Sequence, residues 1–295
     1  MSNARNHHYI SQFYLRGFTK SGKSKEKIFV FDKHEQSFFA SNPKNVGSKR
    51  DFNRISLEGK ENILEEQLAE LEGVLAPIFK KTIDIRKFPN DEDLYGILKF
   101  ISMLAIKNPV VRHQFDDFWK TIADRFMTMT LMSEERYLDQ CRQAGIPEEK
   151  IVPYEQEKEF FNDKTRYTID VNQEIHAFGE SGVIEHLTNL LCHRNWFLLV
   201  TNDDNTEFIT SDFPVSLTSK NKRTGIQGVG FGHSDSEVFF PLSKNLALLG
   251  VFEESEHDKV IYVPEKNVTM LNKMTYAFSN RQIYGSKKSF LNNVI

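Results

Sequence analysis

A chain of 295 residues buries roughly three quarters of its unfolded surface, so neither a disulfide nor a metal staple is needed for stability. With 39% hydrophobic and 27% charged residues, wholesale disorder is excluded. Lys and Arg number 38 against 41 Asp and Glu, a net charge of -3, which excludes a globally basic nucleic-acid coat but leaves room for a local basic groove.

In chain order, the opening Met-Ser-Asn-Ala-Arg-Asn-His-His lacks the apolar stretch of a secretory signal. A short helix over Gln12–Gly17 is expected, with Ser11 as its N-cap. Lys27–Asp32, rich in branched and aromatic residues, predicts a strand, and Gln36–Ala40 its hairpin partner. Residues 60–192 carry apolar residues at helical spacing: Ile63 to Phe79, then Leu94 to Leu104 behind a cap at Asp91. A long helix follows from Val110 to about Gln143, broken near Ser133 and closed by Gly145-Ile146-Pro147, and another spans Asn172–Cys192.

From 194 onward the chain turns β-rich. Trp196–Thr201 reads as a strand buried on both faces, predicted to form a hairpin with Glu207–Thr210 through a turn at Asp203-Asp204-Asn205. Val238–Phe240, Ala247–Val251, Lys259–Val263 and Gln282–Gly285 are further strands, and Pro264–Ser279 a helix opened by its proline. The fold class expected is α+β: a mixed or antiparallel sheet from the N- and C-terminal segments with a large helical insertion, as a single domain over 1–295. Within it, 1–58 is β-rich, 60–192 helical and 194–295 β-rich. No run of about 18 apolar residues occurs, so no membrane span is expected. Cys141 and Cys192 are read as reduced thiols of a cytoplasmic protein.

The most unusual stretch is His7-His8-Tyr9-Ile10-Ser11-Gln12-Phe13-Tyr14-Leu15-Arg16-Gly17-Phe18. It resembles the opening motif of the bacterial and phage family called domain of unknown function 4238, typically His-Tyr-(Val/Ile)-Pro-Gln-Phe-Tyr-Leu-Arg-Asn-Phe. Here Ser11 replaces the usual proline and Gly17 the usual asparagine. Phe208 to Val215, with Thr210-Ser211-Asp212 at its centre, and Phe240-Pro241-Leu242-Ser243 resemble two later elements of that family in the same order. The resemblance implies a common fold and a bacterial or phage setting, and assigns no chemistry.

The motif's residues carry their own physics. On a helix Gln12 and Arg16 are four apart and share a face, with His8 just ahead of the cap. Imidazole suits proton transfer near neutral pH, and a guanidinium fork binds phosphate or carboxylate at two points. One reading makes His8 a general acid or base, Gln12 and Arg16 substrate ligands, and Asp212 the carboxylate that orients His8, with Thr210 and Ser211 beside it. Another makes the motif a structural plug, with Arg16 ion-paired to Asp212. The resemblance includes an Arg after a Pro-containing break, which makes Arg112, after Asn108-Pro109, a second candidate phosphate ligand; the other reading is a solvated or ion-paired Arg. Lys220 to His233, with Lys222, Arg223 and four glycines, reads as a mobile basic loop, and the lysines at 20, 23, 25, 27, 44 and 49 with Arg50 add positive charge near the N-terminus. His186 and His193 sit two helical turns apart, and no zinc signature is present.

The function expected is a phosphate-directed hydrolase or nuclease, acting on RNA or DNA by metal-independent acid–base catalysis, in a setting that suits phage defence. The alternatives are a non-catalytic module with a protein partner, and a nucleotide or small-molecule sensor.

Overall fold

A computed structural model describes residues 6–54, 63–202, 206–220, 229–253 and 259–295. The expected turn at 203–205 and the Lys222, Arg223, Gly225 and Gly228 part of the basic loop lie outside the described residues. The described elements run β1 (Asn6–His8), α1 (Gln12–Arg16), β2 (Ile28–Asp32), β3 (Ser37–Ser41), β4 (Ser48–Arg50), α2 (Ile63–Ile85), α3 (Asp91–Ile106), α4 (Pro109–Thr130), α5 (Glu134–Gln143), α6 (Tyr154–Asn162) and α7 (Gln173–Cys192). After them come β5 (Asn195–Thr201), β6 (Thr210–Ser211), β7 (Ser216–Ser219), β8 (Ser236–Ser243), β9 (Leu246–Val251), β10 (Val260–Val263), α8 (Glu265–Phe278), β11 (Gln282–Gly285) and α9 (Lys288–Asn292). The chain divides into two compact units, 1–109 with 177–295, and 110–176.

The first unit is α+β. Its five-stranded sheet has the order β10-β5-β9-β8-β7, parallel only between β10 and β5. A four-stranded antiparallel sheet, β3-β2-β11-β6, joins the N-terminal hairpin to C-terminal strands, as the sequence suggested. The expected hairpin between Trp196–Thr201 and Glu207–Thr210 is not formed. β5 lies between β9 and β10, and β6 pairs with β11 in the other sheet. A near-continuous apolar run fits a strand in the middle of a sheet covered on both faces, and the two neighbours of β5, β9 and β10, both come from later in the chain.

The motif aromatics are core. Tyr14 stacks on Phe240 with ring centroids 5.2 Å apart, and Phe13 packs edge-on against Phe79 at 5.4 Å. Tyr14 donates its hydroxyl to the Pro241 carbonyl (2.8 Å), so the proton shared with Thr210 Oγ1 (2.7 Å) is Thr210's. Gly47, at φ +62, turns its carbonyl to the amides of Tyr9 (3.0 Å) and Ile10 (3.1 Å), tying the motif down from a conformation that favours glycine.

Gly250 pairs across the sheet with buried Trp196, and a Cβ there would lie 2.8 Å from two ring atoms. Gly250→Ala is therefore expected to cost about 1–3 kcal/mol through overpacking. An unchanged midpoint in urea unfolding would contradict that.

The second unit has its own small core of Leu131, Tyr137, Cys141 and Phe161. Its helix break is where the sequence put it: Ser133 caps α5, accepting from the Arg136 amide at 3.3 Å, and Gly145 at φ +69 follows the helix. Cys141 is buried, Cys192 exposed, and both are free. No single helix among the described residues is long and apolar enough to cross a membrane.

Candidate functional site

Alternation along β1 separates the two histidines, which is the period of a strand. His7 is buried and accepts the Asn53 amide at Nδ1 (2.9 Å), whereas His8 is half-buried and faces a cavity. His8 Nε2 lies 3.1 Å from the Lys44 carbonyl. A carbonyl only accepts, so Nε2 carries the proton and Nδ1 keeps the lone pair of the neutral ring. No described residue donates to Nδ1. Burial holds the imidazole below its ordinary pKa of 6.5, outweighing the Lys44 hydrogen bond and the charges of Glu72 and Glu65, which favour the protonated ring.

The cavity holds about 150 Å³ and is lined by His8, Ser11, Gln12, Glu65, Glu72 and Lys107, among others. Leu68, Met103 and Lys107 also line a larger groove of about 480 Å³ between α2, α3 and α7, so His8 stands at one end of a longer depression. Ser11 occupies the cap position expected of it, but its hydroxyl makes no capping bond; only its carbonyl engages the helix, accepting from the Leu15 amide at 3.2 Å.

Arg16, one turn beyond Gln12, opens on a different cleft, of about 390 Å³. The two positions share their cavities with successive stretches of α2: Gln12 with Glu65 to Glu72, and Arg16 with Ala76 to Asp84. Arg16 forms no side-chain hydrogen bond or ion pair with the described residues, so the suggested Arg16–Asp212 pair is not made.

Asp212 is sealed. Its carboxylate accepts the backbone amides of Asn280 (2.9 Å), Arg281 (2.7 Å) and Gln282 (3.0 Å), and its own carbonyl accepts from Asn108 Nδ2 at 2.8 Å. It does not hydrogen-bond His8, whose ring is held by Lys44 instead. Burial drives its pKa up, against the opposing pull of the three amides and of Lys33. Thr210 and Ser211 are fully buried; Thr210 bonds Tyr14, and Ser211 Oγ accepts the Phe213 amide at 3.2 Å. These three side chains hold the strand end rather than open on a cleft.

Arg112 belongs to the second unit, half-buried on the first turns of α4. In that unit His176 Nε2 meets Asp116 Oδ1 at 2.8 Å. His193 bonds the Asn189 carbonyl at the end of α7. The lysines at 20, 23, 25, 27, 44 and 49 and Arg50 are all exposed. Lys220 is ion-paired to Glu253 and Glu237. Among the described residues no group of three or more His, Cys, Asp or Glu is placed to hold a metal ion.

Sequence reasoning missed Lys107, Glu65 and Glu72 as cavity partners of His8, and Lys20, Lys80 and Lys244 as cleft partners of Arg16. Nothing local in the sequence shows which stretch of α2 meets which end of α1. No curated protein and no solved structure shows significant similarity to the chain. A family model matches residues 6–289, from the first strand to the last helix, and the chain belongs to that family, described as protein of unknown function (DUF4238).

Proposed function

We propose that this chain is a phosphate-directed hydrolase acting on RNA or DNA by acid–base catalysis, with His8 as the proton-transfer group. The observation that carries this reading is the placement of His8: the Lys44 carbonyl fixes the tautomer of the neutral ring, Nδ1 is free of any described donor, and the ring faces a cavity. Such a nitrogen takes a proton from an attacking water or sugar hydroxyl. Gln12 lines the same cavity, and its amide suits the oxygens of the phosphate being cleaved. Asp212, Thr210, Ser211 and Arg112 have no part in this step.

The test is cleavage of labelled single-stranded RNA and DNA by the native chain and by His8→Gln. Loss of one general base is expected to lower the rate about 100-fold or more, with the melting temperature little changed. The base must be neutral, so kcat/KM of the native chain rises with pH to a plateau, with its midpoint below 6.5, where His8 loses its proton. Stability linked to the same ring falls as pH drops through that range, because the unfolded chain takes up the proton first. A His8→Gln chain that cleaves as fast as the native one removes the reading.

A second reading, a non-catalytic module for a protein partner, is favoured by one observation. Phe118, Trp119, Ile122, Phe126 and Met129 lie exposed along α4 in the second unit. A native chain that leaves every nucleic acid uncut while retaining its fold would favour that alternative.

A further inference from the structure

The cleft beside Arg16 has the composition of a nucleotide site, and we propose that it binds a nucleoside monophosphate, either free or as the 5′-phosphorylated end of a strand. It lies apart from the His8 cavity, and the inference holds whether or not the protein cleaves anything.

Four cationic side chains line the cleft, Arg16, Lys20, Lys80 and Lys244, against one acidic side chain, Asp84, so its field favours an anion. Lys80 is ion-paired to Asp84 within α2. Lys244 is held by the Lys20 carbonyl (2.9 Å) and by buried Glu207 (3.4 Å). Arg16 and Lys20 have no carboxylate partner among the described residues. Arg16 is also half-buried and rises from a helix that Phe13, Tyr14 and Leu15 anchor in the core, so the backbone that carries it is fixed by packing. A guanidinium held this way presents its fork to a phosphate at two points.

Part of the wall is apolar: Phe13, Phe79, Ile83 and Leu242 also line the cleft. A bare phosphate would leave that wall wet and most of the cleft's volume empty. A phosphate joined to a flat ring uses both halves, the anion on Arg16 and Lys20 and the base against Phe13 and Ile83. The volume, about 390 Å³, is in the range of small-molecule sites. A terminal phosphate carries nearly two charges at neutral pH, against one for an internal phosphodiester, and this better matches two cations that lack a carboxylate partner among the described residues.

Isothermal titration of the full chain tests the proposal with AMP, inorganic phosphate, adenosine, and a dinucleotide with or without a 5′-phosphate. AMP is expected to bind one to one, at least about tenfold more tightly than phosphate or adenosine alone. Arg16→Gln and Lys20→Ala should each weaken AMP about tenfold, with the unliganded melting temperature unchanged. Tight binding of the 5′-phosphorylated dinucleotide identifies a strand end as the source, and binding of AMP alone a free nucleotide. Phosphate binding as tightly as AMP overturns the nucleotide assignment. AMP binding that is absent, or equal in both variants and the native chain, overturns the site.

Discussion

Asp212→Ala is expected to remove about 3–5 kcal/mol of stability, a large share of what a folded chain has to lose. The carboxylate is buried and gathers three consecutive amides, those of Asn280, Arg281 and Gln282, just where the chain enters β11. Its neighbour Ser211 pairs with Ile283, so the residue joins β6 to β11 both through the ladder and through its side chain. Alanine leaves these N–H groups without an acceptor, at about 1–3 kcal/mol each before any water reaches them. Asp212→Asn keeps one acceptor oxygen but turns an NH2 group toward further donors, so it recovers only part of the loss. The measurement is urea unfolding of native, Ala and Asn chains at fixed pH. An Asn variant as stable as the native chain would show that the charge-assisted bonds matter little.

Two acids in this region act in opposite senses on stability. Asp212 has a raised pKa, so ionising it in the folded chain costs stability: the proton-linked share is present in acid and is lost as pH rises through the folded value, leaving what its bonds to the three amides contribute. Asp32 has a lowered pKa: burial works against this, but hydrogen bonds from Gln282, the Glu35 amide, Arg281 and the His34 amide outweigh it. Its contribution is therefore present above the unfolded value and is lost as pH falls.

Arg194→Ala should cost a similar amount, about 3–5 kcal/mol, for the complementary reason: it orphans acceptors. Arg194 is buried at the junction of α7 and β5, where no carboxylate among the described residues pairs with it. Nη1 donates to the carbonyls of Ser236 (2.8 Å) and Gly250 (3.2 Å), and Nη2 to the Phe231 carbonyl (2.5 Å) and Ser236 Oγ (2.6 Å). The guanidinium also sits 4.2 Å from the centre of the Phe252 ring. Burial draws its pKa down to about 10, which leaves it protonated at neutral pH. One planar fork thus ties β8, β9 and the segment before β8 together. Arg194→Lys keeps the charge but offers donors from a single point, so it should fall between native and Ala in thermal and urea unfolding. A lysine variant equal to native would mean that charge alone suffices.

What the sequence reveals is local. The strand at 28–32, the break at Ser133, the proline opening α8 and the helix over the motif all follow from spacing, caps and branched residues within a few positions. Pairing between distant segments does not. Trp196–Thr201 is apolar enough to announce a strand with two neighbours, yet its composition is equally compatible with 207–210, 246–251 or 260–263 as partner. The same limit divides the site. His8 and Gln12 come together because they are close along the chain. Asp212 looked available because the three amides that occupy it come from about seventy positions later. Gln12 and Arg16 share a helix face on paper, but a helix of five residues is a foothold rather than a wall, and α2 passing beneath it divides that face between two cavities.

The central pairing of the four-stranded sheet sets a timetable for biosynthesis. β2 hydrogen-bonds to β11, which lies some 250 residues downstream. While a ribosome is still elongating the chain, the early hairpin therefore has one unsatisfied edge, with Phe29 and Phe31 waiting beside it. Maturation closes only after Gln282–Gly285 has left the exit tunnel, so nascent chains stalled short of that point are natural clients for holdase chaperones.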